Sequence, residues 1–127
     1  MNREIKFRGK RKDNGELIYW YYIKENGVCC IMTESKARNF LIWNEVIPES
    51  VGQYTGKKYN NGEESYEWDI VEYPLAEDAG FPSLVKNVIL WENNYSSFRL
   101  SKFSAEGFIW NKMKKIGNTT ENKELLK

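Results

Sequence analysis

The 127-residue chain contains no histidine. That absence removes the commonest general base near neutral pH, the Ser–His and Cys–His nucleophile pairs, and the usual zinc sites. No P-loop and no glycine-rich dinucleotide fingerprint occurs either. Cysteine is scarce, with only Cys29 and Cys30, side by side. Neighbours in an extended strand point to opposite faces, so these two suit neither a mutual disulfide nor a shared metal. The expected compartment is a reducing cytoplasm, and the expected role of each thiol is that of a small buried apolar side chain. No run approaches the roughly 20 apolar residues that span a bilayer. The start, MNREIKFRGK, lacks the apolar core of a signal peptide.

An excess of one charge is missing too. The formal net charge is +1, so nothing pulls the whole chain towards nucleic acid or a membrane. The local balance is less even. Arg3, Lys6, Arg8, Lys10, Arg11 and Lys12 crowd the front of the chain, opposed there only by Glu4. From Tyr59 to Val85 there is no Lys or Arg, while Glu63, Glu64, Glu67, Asp69, Glu72, Glu77 and Asp78 all fall there. A basic front and an acidic middle can pair within one subunit or between subunits, which favours self-association.

What the chain does hold is aromatic residues, 15% of the total, with five Trp, eight Tyr and six Phe. A core can be built from such few, large side chains. Ile5 and Phe7 alternate with Lys6, Arg8 and Lys10, the period of a half-buried strand. Asp13-Asn14-Gly15 supplies the residues a tight hairpin turn demands. Leu17 to Ile23, LIYWYYI, is a strand by content, with Leu17, Tyr19, Tyr21 and Ile23 on one face and Ile18, Trp20 and Tyr22 on the other. Both faces are apolar, so both should be covered by something. Glu25-Asn26-Gly27 turns the chain again into VCCIMT. Glu34 to Phe40 reads as one or two helical turns, and Pro74 to Pro82 as an exposed loop. Leu84 to Trp91 and Tyr95 to Leu100 read as strands joined at Asn93-Asn94. The ending ENKELLK looks like a short helix capped by Asn122, with Glu124 in its first turn. Many short strands at regular turn spacing favour a mainly β, β-rich α+β chain forming a small barrel or rolled sheet.

The stretch NNGEESYEWDIVEY carries five carboxylates. Strand alternation places Trp68 and Ile70 on one face and Glu67, Asp69 and Val71 on the other, so the carboxylates do not converge on one metal or acid–base site. Asp69, beside apolar Ile70 and Val71, is suited to cap a turn through backbone N–H groups. No catalytic residue, cofactor or metal ligand set is expected.

Several of these segments, taken together, resemble the YopX protein family of phages and prophages. They are Arg3-Glu4-Ile5-Lys6-Phe7-Arg8, Gly52-Gln53-Tyr54-Thr55-Gly56-Lys57, Asn61-Gly62-Glu63-Glu64, Tyr66-Glu67-Trp68-Asp69-Ile70-Val71, and Ile116-Gly117-Asn118 followed by Glu121-Asn122-Lys123-Glu124-Leu125-Leu126. They run from end to end in the family's order. Two positions depart from the family pattern: Trp68 stands where glycine is usual, and Lys123 where proline is usual. The resemblance implies a C-terminal SH3-like small barrel over residues 51–127, ending in the short helix, with N-terminal antiparallel strands of residues 1–50 packed beside it. The two regions could equally form one integrated domain. It also implies homo-oligomerisation and a phage or prophage source, and it carries no catalytic residues over.

The expected function is that of a non-enzymatic binding protein that blunts host defence, by sequestering a nucleotide-derived signal or by occupying a defence protein. Sequestering a nucleotide calls for Arg or Lys on phosphates and aromatics for base stacking. Arg8, Lys10 and Arg11 with Trp20 or Tyr22 form one candidate set; Tyr54, Lys57, Trp91 and Arg99 form another, and Trp68 is available for an interface or ligand. The ordinary reading of each aromatic is core or subunit contact, and of each base a solvated charge. A nucleic-acid-binding barrel is the first alternative, resting on the short basic run KFRGKRK. A purely structural self-assembling protein is the second.

Overall fold

The computed structural model describes residues 4–35, 40–74, 84–93, 96–101 and 112–126. Over these residues the chain is built of β-strands and two short 3-10 turns, with no α-helix, so the β-rich expectation holds. It divides into two compact units, residues 1–56 and 57–127.

The first unit contains β1 (Phe7–Lys10), β2 (Leu17–Glu25), β3 (Val28–Ser35), β4 (Phe40–Glu45) and most of β5 (Gly52–Lys58). Sequence-adjacent strands pair antiparallel in the order β4-β3-β2-β1, and β5 lies on the other side of β1. The turn chemistry is the expected one. Gly15 takes φ 73° and Gly27 φ 79°, the left-handed region that glycine enters without steric cost. Asn14 Oδ1 accepts from the Glu16 N–H at 2.9 Å, holding the first turn.

Register decides which face is core. Phe7 lies opposite Trp20, Gly9 opposite Ile18, and Tyr22 opposite Ile31. Phe7, Ile18, Trp20 and Tyr22 pack on a buried cluster of Cys29, Ile31 and Val46. Gly9 is needed there, since a Cβ would come within 3.0 Å of Ile31 and 3.1 Å of Val46. Residues Glu34, Ser35 and Phe40 are extended in β3 and β4, which corrects the helical turns expected over Glu34 to Phe40; residues 36–39 lie outside the described set. Pairing across the sheet outweighs the mixed local propensity of that segment.

In the second unit the far end of β5 turns into β6 (Glu64–Tyr66) through Asn60-Asn61-Gly62. Gly62 has φ 88°, Asn61 Oδ1 accepts from the Glu63 N–H, and the Tyr59 N–H donates to the Glu63 carbonyl at 2.8 Å. β7 (Asp69–Pro74), β8 (Leu84–Glu92), β9 (Ser97–Leu100) and β10 (Lys114–Asn118) form a four-stranded antiparallel sheet in the order β10-β7-β8-β9. Its core is Tyr59, Val71, Tyr73, Ile89 and Met113, with Val85, Phe98 and Leu100 packed against it. Buried Asn87 is satisfied by the Tyr73 hydroxyl and Ser101 Oγ. The loop expected over Pro74 to Pro82 falls mostly on residues outside the described set, and so do residues 102–111 between β9 and β10.

The ending is a single 3-10 turn, Lys123–Leu126, rather than the expected helix. Asn122 does not serve that turn with its side chain. Its Oδ1 accepts from the Asn118 N–H at 3.2 Å, tying the tail back to β10. Gly117 leaves the room for this, because a Cβ there would collide with the Asn122 amide. Asn118 in turn accepts from the Thr120 and Glu121 N–H groups and donates to the Glu121 carboxylate.

Candidate functional site

The carboxylate-rich stretch folds as a corner between β6 and β7. Asp69 is fully buried. Its Oδ2 accepts from the Tyr59 hydroxyl at 2.6 Å and the Tyr66 N–H at 2.9 Å, while Lys115 Nζ stands 4.0 Å from Oδ1. Capping the turn through a backbone N–H is the role expected of it. A buried carboxylate held by a hydroxyl, an amide and an ammonium is a structural anchor. Glu63 shares Lys115 with Asp69, at 3.3 Å, and Glu64 accepts from the Tyr66 hydroxyl. Among the described residues no three Asp, Glu or Cys side chains gather as a metal set.

The expected ligand residues are dispersed. Arg8 is 2% exposed, inside the first unit rather than on its surface. Lys10 is half-buried, and its N–H donates to Ser50 Oγ. Arg11 forms a two-point pair with Asp13, at 2.9 and 2.6 Å. Trp20 and Tyr22 belong to the core face of β2, and Tyr22 donates its hydroxyl to Cys29 Sγ at 3.3 Å. Tyr54 is buried, with Lys6 Nζ 5.3 Å from its ring centre. The second set is split between the units, Tyr54 in the first and Lys57, Trp91 and Arg99 in the second. Trp91 lies opposite Phe98 and Arg99 opposite Leu90, so adjacent positions put Trp91 and Arg99 on opposite sheet faces. Trp91 meets Phe98 edge-on at 5.1 Å and donates its indole N–H to Asn93. Burial pushes the Cys30 thiol up, which disfavours the reactive thiolate.

Two surfaces stand out in place of the expected sets. The first is the outer face of the first sheet. Tyr21, Met32 and Trp43 line up across β2, β3 and β4 on the side away from the core. Tyr19, Tyr21, Leu41 and Trp43 are exposed there, Trp43 by 51%. On β4 the residues facing the other way, Phe40 and Ile42, are exposed as well, because β4 is the sheet's edge. Both apolar faces of LIYWYYI were expected to be covered, but Tyr19 and Tyr21 are exposed on this one; the edge position of FLIW is a property of the topology.

The second surface is a cleft of ≈ 400 Å³ in the second unit, between the Tyr59–Asn61 turn and the Lys112–Lys115 segment. Sequence reasoning passed over it, although Lys112-Met113-Lys114-Lys115 is a visible basic run.

The YopX protein family matches residues 6–127. The chain belongs to the YopX protein family. A crystal structure of protein EF1440 from Enterococcus faecalis shares the fold, with a TM-score of 0.64 at 19% identity, covering 99% of this chain and 100% of that one. No curated protein matches.

Within this YopX chain the motifs that mark the family are turn and corner devices. Asn61-Gly62 closes the β5–β6 hairpin, Asp69 anchors the corner, and Gly117, Asn118 and Asn122 lock the tail. Trp68, where the family pattern has glycine, takes φ 77°. The corner therefore keeps a left-handed backbone with a large side chain on it. The cost of that conformation is about 1–2 kcal/mol for an L-residue. Backbone bonds on both sides hold it: the Trp68 N–H donates to Ile89 and the Trp68 carbonyl accepts from Thr119. No described helix is long and apolar enough to cross a membrane.

Proposed function

We propose that this YopX-family chain is a phage or prophage accessory protein that acts by binding rather than catalysis, as a homo-oligomer in the cytoplasm of a bacterial host. The observation that carries the reading is the uncovered apolar face and edge of β4. Tyr19, Tyr21, Leu41 and Trp43 present exposed aromatic and aliphatic side chains on one face, beside an edge strand whose outer backbone row is engaged only at Glu45 among the described residues. Such edges are templates for strand pairing. A second copy fits best: antiparallel β4–β4 pairing about a two-fold axis sets identical apolar strips side by side and extends the sheet. On the host side, the protein sequesters a nucleotide-derived signal or occupies a defence protein.

Long-range capture of nucleic acid is less well supported. The basic front that suggested it is largely engaged at home: Arg8 is buried, Arg11 pairs with Asp13, Lys12 with Glu45 at 2.7 Å, and Lys6 with Glu4 at 3.3 Å.

Size-exclusion chromatography with light scattering tests self-association. The wild type is expected to run as a dimer or larger, and the double variant Leu41→Glu, Trp43→Glu as a folded monomer. A wild type that is monomeric at all accessible concentrations would sink the reading.

A further inference from the structure

We propose that the lysine cleft of the second unit is a binding site for a small phosphate ester, of the nucleotide class. This deepens the binding reading above and rests on it, but the cleft lies entirely within residues 57–127 and needs no second copy.

Its walls come from two segments. On one side, Tyr59, Asn60 and Asn61 end β5 and form the turn into β6; on the other, Lys112, Met113, Lys114 and Lys115 lead into and open β10. Alternation sends Met113 into the core, where it is buried, and leaves Lys112 and Lys114 exposed on either side of it. The volume, ≈ 400 Å³, is within the range of about 300–1,000 Å³ typical of small-molecule sites.

The chemistry of the lining is one-sided. Among the described residues, no carboxylate lines the cleft. The nearby negative charges among the described residues are Glu63, buried Asp69 and Glu72. Lys115 answers the first two, at 3.3 Å and 4.0 Å, and Glu72 lies opposite Lys114 across the β10–β7 ladder. Lys115 therefore offsets part of the charge of Asp69 and Glu63, and Lys112 and Lys114 are the outer ammonium groups of the cleft. Among the described residues, neither Lys112 nor Lys114 has its ammonium in a hydrogen bond or ion pair, and Asn60 has its amide free. Asn61 uses Oδ1 on the Glu63 N–H, which turns its amide NH₂ outward as a donor.

Two ammonium groups and two amide donors, with no carboxylate among the described lining residues, select a compact anion with several oxygens. A phosphoryl group supplies that, with lysines acting as point charges on it. The remaining volume and the Tyr59 and Met113 wall admit an organic portion, as a nucleotide carries. A lone carboxylate, with two oxygens, leaves part of this donor set unanswered.

The test is isothermal titration of the full chain at low salt with ADP, inorganic pyrophosphate, adenosine and a short oligoglutamate peptide. The expected order is ADP first, then pyrophosphate, with adenosine silent and the peptide weaker than either. Lys112→Gln combined with Lys114→Gln should weaken ADP binding about tenfold or more. Lys24→Gln combined with Lys58→Gln, both exposed and outside the cleft, should leave it within about twofold. Lys112 and Lys114 are exposed, and an unchanged melting temperature in the absence of ligand checks that the variant folds. Three results would overturn the site: no saturable binding of ADP or pyrophosphate, equal loss in both double variants, or oligoglutamate binding as tightly as ADP. A monomeric wild type that bound ADP through these lysines would remove the self-association reading and leave the cleft standing.

Discussion

β7 and β4 are both short, apolar strands, and their fates are opposite. β7 lies inside the second sheet, with β10 on one side and β8 on the other, and Ile70 and Val71 are fully buried. β4 has β3 on one side and, on the other, only the Lys12 N–H bonded to the Glu45 carbonyl at its end among the described residues, and Phe40, Leu41, Ile42 and Trp43 are all exposed. Composition does not separate them. Position in the sheet does: a central strand has its backbone groups answered on both sides and its side chains covered, while an edge strand leaves one backbone row open. The same apolar content is a core in one place and an interface in the other.

The sharpest way to break this comparison is truncation on both strands. Ile70→Ala is expected to cost about 2–5 kcal/mol of stability, and Leu41→Ala below about 1 kcal/mol in the monomer. Urea titration at concentrations low enough to keep the chain monomeric reads both. Equal losses would mean that β4 is covered within one chain and is not an interface.

A smaller effect is expected at the entry to β7. Trp68→Ala and Trp68→Gly both remove the ring, but only glycine relieves the φ of 77°. The glycine variant should be the more stable by about 1 kcal/mol, again read by urea titration. An alanine variant as stable as the glycine one would show that the corner relaxes and stores no strain.

The smallest effect belongs to the first unit. Tyr22 is pushed up to about 12 from the ordinary value of 10.0, first by its hydrogen bond to Cys29 and then by burial. The folded chain keeps this proton at pH values where the unfolded chain has released it. Its contribution is thus complete below pH 10 and is lost as pH rises towards 12. Tyr22→Phe should flatten the decline of melting temperature across that window. An unchanged slope would mean that other groups carry the alkaline transition.

Much of the fold was legible in the chain. Asn14-Gly15, Asn26-Gly27 and Asn61-Gly62 announce turns through residues that tolerate positive φ, and the structure has turns at all three. Asp69 was legible as a turn cap because it sits among apolar neighbours, where only a hydrogen-bonded carboxylate is tolerated. The candidate site was much less legible. Arg8 looks like one more exposed base of a basic strand, yet the sheet buries it, and nothing in the local pattern marks that. Lys112 and Asn60 are far apart in sequence, and only the folding of the second unit brings their segments to one cleft.

By itself the sequence determined the β class, the turn positions, the absence of histidine chemistry and the family. These depend on local torsions and composition, which a linear chain displays. The tertiary structure alone decided which of the two apolar faces of LIYWYYI became core, that β4 became an edge, and that Lys112 and Lys114 line one cleft with Asn60 and Asn61. Each of those depends on strand order and on pairings between residues distant in sequence, and such pairings are set by the packing of the whole unit rather than by any neighbour along the chain.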